Sequence, residues 1–236
     1  MCSISNKDRF VKDKFWAISS RYDLLNSLLS FGVDQYWRKV AIRELISIPG
    51  DYILDLCAGS LPLSMELIEK DRGNKKIMAL DFCLPMLLTG RHKVCLLPGK
   101  DRIQLVCGDG QQIPVRDACF HGIMVAFGVR NFSSTLKGLR EMYRVLKPGG
   151  KVVILEFSRP TNPFFKPIYM FYLNKILPFV GGLISGHREA YDYLSRSIGS
   201  FYRQHEWISL IEEAGFINIT YREMTLGIVT LCTAIK

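Results

Sequence analysis

The chain has 236 residues, with 31 Lys plus Arg against 22 Asp plus Glu, a net charge of +9, and 48% hydrophobic against 22% charged residues. That apolar share excludes a disordered or fibrous chain, and the length suits a single α/β domain spanning residues 1–236 with a sizeable core. The 7 cysteines form no C-x-x-C pair and the 4 histidines stand apart, so the sequence predicts reduced thiols, no disulfide framework and no metal site.

The first residues, MCSISNKDRFVKDKF, lack the apolar core of a secretory signal, which predicts a cytoplasmic protein. Residues 7–48 read as a helical cap; Tyr22, Leu24, Leu25, Leu28, Leu29, Phe31 and Trp37 are too many apolar groups for a free tail. From Asp51 short apolar runs alternate with helical patterns: YILDL, a helix through LSMELIEK, KKIMALD, a helix through PMLLTGRHKVC, RIQLVCGD, then GIMVAFG. A helix over residues 135–146 places Leu136, Leu139, Met142, Tyr143 and Leu146 on one face, and Lys147-Pro148-Gly149-Gly150 is expected to stop it. KVVILEF is a fifth strand. β-branched runs separated by helices predict parallel strands with helical crossovers, a doubly wound sheet.

An insertion, residues 158–205, follows and is expected to form a lid. Its apolar stretch over 163–186 contains 3 prolines and 2 lysines, which argues against a spanning helix and for a buried or interfacial segment. WISLIEEAGF, INITYREM and GIVTLCTAIK then read as helix, strand, strand. The short Thr-Leu-Gly turn between the last two predicts an antiparallel edge pair, for seven strands in all.

Ligands of such sheets bind outside the strand carboxyl ends. After the first strand comes Asp55-Leu56-Cys57-Ala58-Gly59-Ser60-Leu61-Pro62, whose small residues let a ligand approach the backbone, and Ser60 or Leu61 is placed to cap the next helix. Asp81 ends the second strand, where an acid hydrogen-bonds ribose hydroxyls. Gly108-Asp109-Gly110 follows the third, with a carboxylate and an amide for an adenine edge. Taken singly, Asp55 and Asp81 equally suit plain strand ends. The G-x-G-x-x-G, Walker and G-x-S-x-G patterns are absent, so a nucleoside without phosphates fits better than a dinucleotide, a nucleotide or a serine hydrolase. S-adenosylmethionine is the common cofactor of that description.

Tyr22-Asp23-Leu24-Leu25-Asn26 with Trp37-Arg38, Phe127-Gly128-Val129-Arg130-Asn131, Arg144-Val145-Leu146-Lys147-Pro148-Gly149-Gly150 and Leu155-Glu156-Phe157-Ser158 resemble the ubiquinone/menaquinone biosynthesis C-methyltransferases over nearly the whole chain. The K-P-G-G turn is common to many methyltransferases; the Y-D-L-x-N and F-G-x-R-N pair is much narrower. The resemblance implies a class I, Rossmann-like S-adenosylmethionine-dependent methyltransferase that methylates a ring carbon of a polyprenylated quinol, with demethylmenaquinol favoured. By similarity Ser60, Asp81, Asp109, Gly110 and Ala126 occupy cofactor-contact positions, beside Asp55 and Gly59.

Arg130 and Asn131 are the expected catalytic pair, Arg130 for a developing quinolate and Asn131 for the ring or a water; the alternative ties Arg130 to a structural carboxylate. Tyr22, Tyr191, Tyr193 and His187 are candidate relay or lining residues. The family usually reads G-G-T-G-D where this chain reads Ala58-Gly59-Ser60-Leu61-Pro62. Leu61 is expected to be held extended by Pro62 and to bring bulk toward the methionine end. His121 likewise replaces an acid.

A membrane-resident prenyl tail implies peripheral contact at the inner membrane face, for which Phe164, Phe165, Tyr169, Phe171, Tyr172, Leu177 and Phe179 with Lys166 and Lys175 are suited. The same run equally suits a buried cover or a homodimer interface. Acids interleaved with bases, as in Lys7-Asp8-Arg9, argue against nucleic acid. The runner-up readings are a methyltransferase of RNA or another small molecule, and a non-catalytic protein that kept the fold, toward which Leu61, Pro62 and His121 weigh.

Overall fold

A computed structural model of the chain describes residues 16, 27, 30–71 and 75–236. Tyr22 and the Y-D-L-x-N stretch lie outside the described residues, as does half of the helical cap. The described elements run α1 (Val33–Ile46), β1 (Tyr52–Leu56), α2 (Pro62–Lys70), β2 (Lys76–Asp81), α3 (Leu84–Val94), β3 (Ile103–Cys107), β4 (Phe120–Ala126), α4 (Thr135–Val145) and β5 (Leu146–Phe157). The insertion supplies α5 (Phe165–Phe171), a π turn (Tyr172–Ile176), α6 (Leu177–Ser185) and α7 (Arg188–Gly199), followed by α8 (Gln204–Glu213), β6 (Ile217–Met224) and β7 (Val229–Ile235).

The seven strands form one sheet in the order β3-β2-β1-β4-β5-β7-β6. β1 to β5 are parallel, and β7 runs antiparallel between β5 and β6. Side chains alternate between the faces. Leu54 and Leu56 of β1 pack with Leu139 and Met142 of α4 and Trp207 and Ile211 of α8. Ile53 turns to the other face, against Trp37, Ile42 and Leu45 of α1 and Leu63 and Leu67 of α2. With both faces covered, the central strands read as continuous apolar runs, which is why they were legible. The strand order reverses between β1 and β4, and that switch point opens a crevice at the carboxyl ends.

One expectation needs correction. Helix α4 ends at Val145, and Leu146 is already extended (φ −71°, ψ 142°) and paired with Phe120. Lys147-Pro148-Gly149-Gly150 therefore bends the start of β5 and does not stop the helix. Proline keeps Lys147 out of the helical region, Gly149 turns left-handed at φ 74°, and the register then shifts to Gly122 opposite Lys151.

The insertion's apolar stretch is helical, which the sequence left open. Residues Phe165–Ser185 form one helical run of 21 residues with mean hydropathy 1.3, long and apolar enough by length and composition to cross a membrane. Pro167 sits in the first turn, where no intrahelical N–H partner is lost, and Pro178 follows the wide π turn that relieves its ring. Gly186 (φ 78°) ends the run and α7 folds back along it. A side chain at Gly181 would strike the Tyr191 ring, so the two helices meet closely there.

Candidate active site

The crevice is built by four strand tips. After β1 the chain doubles back through left-handed residues, Cys57 (φ 57°), Gly59 (φ 54°) and Leu61 (φ 68°), and the Ala58 N–H donates to Leu80 O at 3.1 Å. The Gly59 N–H donates to Asp81 Oδ2 and the Cys83 N–H to Asp81 Oδ1, each at 2.8 Å. Burial pushes the Asp81 carboxyl up to about 6, opposed by the N–H donors of Cys83, Gly59 and Phe82. At the tip of β3 Asp109 accepts the Gln111 N–H at 2.8 Å.

Gly59, Ser60, Asp81, Asp109, Gly110, Ala126 and Asn131 all line one cavity of about 1400 Å³. Asp55 does not. Its carboxylate lies beneath the loop, 1% exposed, with Ser64 Oγ donating to Oδ2 at 2.5 Å and Oδ1 unpartnered. Burial, with the nearby Asp81 charge, lifts it to about 7. Cys57 borders the cavity as a thiol, since burial and the surrounding carboxylates drive its pKa up.

Leu61 also departs from expectation. It is left-handed (φ 68°, ψ 28°), not extended, and its side chain is fully buried with Ala58, Ala79, Leu87 and Val94, outside the cavity lining. Leu61 takes the N-cap position of α2, as one of the two candidates, with its carbonyl accepting the Met65 N–H at 2.9 Å and no side-chain cap bond. Burying a leucine is worth about 1.5–3 kcal/mol. A left-handed residue costs about 1–2 kcal/mol, so packing wins over the preference set by Pro62. Gly90 of α3 makes the space, because any Cβ there would strike Leu61.

His121 lies at the opposite, amino end of β4, where Nδ1 accepts the Tyr52 N–H at 3.2 Å and Nε2 lies 2.9 Å from Lys147 Nζ. It joins two strands far from the crevice. Neither Leu61 nor His121 therefore obstructs the site.

A second cavity, about 380 Å³, adjoins the first and is walled by Trp37, Phe127, Phe157, Tyr169, Leu173 and Leu194 among others. Phe127 and Arg38 border both cavities. Phe127 (φ 58°) stacks on Phe157 with centroids 4.4 Å apart.

Arg130 lines the second cavity and is tied to a carboxylate, the alternative the sequence left open. Its Nη1 donates to Glu156 Oε1 at 2.7 Å and to Phe127 O, and its backbone N–H donates to Glu156 Oε2 at 3.2 Å. The guanidinium lies 5.3 Å from the Phe157 centroid. Asn131 Oδ1 accepts from the Tyr193 hydroxyl at 3.1 Å, a bond that links the wall of one cavity to that of the other. Tyr191 lines the second cavity; His187, exposed at the start of α7, lines neither.

Sequence reasoning missed Glu156, Asp34 and Arg38 as site residues. Glu156 carried a signal, since an acid inside KVVILEF must be buried and therefore paired. Asp34 and Arg38, four apart on α1, gave only an ordinary helical ion-pair spacing.

The first cavity fits an adenosyl group. Each Asp81 oxygen uses one lone pair on an N–H and keeps a second acceptor site for a ribose hydroxyl. Gly59 and Gly110 bring backbone to the surface, and a Cβ at Gly110 would lie 3.1 Å from Leu56 and Phe132. Carboxylates at two tips would repel a phosphate.

The pattern of the ubiE/COQ5 methyltransferase family matches residues 3–236. The chain is 39% identical over 236 residues to the ubiquinone/menaquinone biosynthesis C-methyltransferase UbiE of Geotalea daltonii, covering 100% of both chains. It is 36% identical over 238 residues to the demethylmenaquinone methyltransferase of Desulfitobacterium hafniense, covering 100% of this chain and 94% of that one. Among solved structures, an S-adenosylmethionine-dependent methyltransferase from Thermotoga maritima superposes with a TM-score of 0.68 at 15% identity, over 95% of this chain and 99% of the other.

Proposed function

The chain belongs to the ubiE/COQ5 methyltransferase family, and from that premise we propose that it methylates a ring carbon of a prenylated quinol, demethylmenaquinol to menaquinol, with S-adenosylmethionine as donor. The observation that carries this reading is the meeting of a polar cavity rimmed by Asp81 and Asp109 with an apolar one at Phe127. A hydrophilic donor and a greasy aromatic acceptor need that junction.

When bound, the donor supplies an electrophilic sulfonium methyl, so the chain's task is alignment and the generation of an electron-rich carbon. Asp81 accepts the ribose hydroxyls and Asp109 faces the adenine edge. Phe127 separates the two compartments and, stacked on Phe157, offers the acceptor ring a flat wall. Asn131, held by Tyr193, orients a ring oxygen or a water at the junction. Arg130 presents a cation matched by Glu156, which steadies a developing quinolate without leaving a bare buried charge. The ring hydroxyl gives its proton to a water held by Asn131 so that its carbon can attack; the proton displaced from that carbon then leaves by the same water, the hydroxyl is restored, and one proton in all passes to solvent.

We place the protein in the cytoplasm with peripheral contact at the inner membrane face. Ile168 both lines the apolar cavity and is 66% exposed, so the cavity wall continues into an outer face carrying Phe164, Phe171, Phe179 and Leu183. A prenyl tail leaving the cavity passes along that face into lipid.

The direct test is incubation of the purified protein with labelled methyl donor and demethylated naphthoquinol or benzoquinol, followed by mass identification of the product. A ring-methylated naphthoquinol is expected. No product from either quinol, or label transferred instead to RNA in a parallel incubation, would refute the reading.

A further inference from the structure

The reaction as derived leaves one buried cation on the common wall of the two cavities unused. Arg38 follows Trp37 on α1, and Trp37 Nε1 donates to Thr225 Oγ1 at 2.8 Å, which fixes this turn of the helix over the loop tips. The Arg38 side chain is only 13% exposed and borders both cavities. Among the described residues its ion pair is to Asp34, with Nη2 3.3 Å from Oδ2. Asp34 is shared in turn, since the Ser30 hydroxyl donates to its Oδ1 at 2.9 Å. Arg38 Nε is buried with no acceptor among the described residues. A guanidinium removed from water with a donor unmet is an incomplete site.

Its place along the polar cavity narrows what completes it. Asp109, Gln111 and Lys137 belong to the β3 and α4 side. Arg38 lies on the other side, on α1, whose Trp37, Ile42 and Leu45 pack with Leu63 and Leu67 of α2, the helix that the Cys57–Leu61 loop leads into. An adenosine gripped by Asp109 and Asp81 therefore directs its sulfur-bearing end toward the loop and α1. The only anionic group of S-adenosylmethionine is the carboxylate at that end. Pro62, which borders the same cavity where the resembling family carries an acid, adds no negative charge to compete with it.

We propose that Arg38 is the anchor of the donor's amino-acid carboxylate, which satisfies the guanidinium that Asp34 fills only in part. A fork of parallel N–H donors suits a carboxylate, and Lys would reproduce the charge without the fork. Anchored at both ends, the donor holds its sulfonium at the junction beside Phe127. This assignment rests on the methyltransferase reading of the site.

Calorimetry with S-adenosylmethionine and its decarboxylated analogue, on the full chain and its variants, tests it. The unaltered protein should prefer the carboxylated ligand by about 10- to 100-fold, the span of charged hydrogen bonds. Arg38→Gln should abolish that preference while binding the decarboxylated ligand about as well as before. Arg38→Lys should keep part of it. Asp34→Asn, which removes the competing carboxylate, should leave donor affinity unchanged or raised. Equal losses for both ligands in Arg38→Gln, or the same loss in Asp34→Asn, would overturn the proposal and leave Arg38 as a helix-stabilising ion pair. A changed quinol KM with donor affinity intact would overturn it in favour of an acceptor role. Should the unaltered protein bind neither ligand, the methyltransferase reading itself falls.

Discussion

Asp81 accepts a backbone N–H on each carboxylate oxygen, and burial still raises its pKa to about 6. Ribose hydroxyls donate to the ionised form, so donor affinity should fall about tenfold for each pH unit below about 6, as titration calorimetry between pH 5 and 8 would read. Asp81→Asn keeps the shape but loses the charged acceptor, and we expect about 10- to 100-fold weaker donor binding with a flat pH profile. Arg130 requires a different design. Glu156 is 1% exposed, so Arg130→Ala strands a buried carboxylate at a cost of about 3–5 kcal/mol, visible in denaturant unfolding. Arg130→Ala with Glu156→Gln should recover much of that stability. Methylation that stays low in the recovered double variant, with donor affinity intact, assigns Arg130 to the acceptor. At this scale the sequence revealed the acids at strand tips, because a tip position follows from the strand pattern alone. It concealed the direction of Leu61, which depends on Gly90 in another helix leaving room for it.

The strands were readable because double coverage makes each an unbroken apolar run, and the antiparallel edge because Thr225, Leu226 and Gly227 leave no room for a crossover. The sequence marks the insertion as an apolar, buried or interfacial segment but leaves its helical continuity open, because that depends on where each proline sits in its turn. One falls among the first residues of α5, the other just beyond a π turn, and the helix continues through Phe165–Ser185. Only 28% of its most apolar window is buried, so α7 and the cavity cover one side and leave the other to the surroundings. Phe171 and Phe179 stand 62% and 59% exposed on this run, and Lys166 and Lys175 accompany them. Phe171→Glu with Phe179→Glu should abolish co-flotation with anionic vesicles while far-UV circular dichroism and donor affinity stay unchanged, since neither residue lines a cavity. Retained flotation would move the membrane contact to another surface.

Across the whole molecule, the buried acids of the donor site set stability against binding. Asp55 and Asp81, lifted to about 7 and about 6 chiefly by burial, hold protons in the folded chain that the unfolded chain releases near its ordinary value of 3.8. Between about pH 4 and 7 the folded state therefore binds more protons, and unfolding free energy contributed by this pair falls as pH rises, by a few kcal/mol in total, levelling above about 7. Glu141 opposes this only at the acid end. Its hydrogen bond to Arg144 lowers its pKa, so its contribution is present above the ordinary carboxylate range and is lost as pH falls. The unliganded protein should consequently lose thermal stability from pH 5 to 7.5. The donor requires ionised Asp81, so the rise in Tm that a saturating donor produces should grow over the same interval. Scanning calorimetry with and without S-adenosylmethionine reads both slopes at once. Asp55→Asn with Asp81→Asn should flatten the unliganded slope and leave a smaller donor effect that no longer varies with pH; an unliganded Tm that climbs with pH would show that burial does not control these carboxyls.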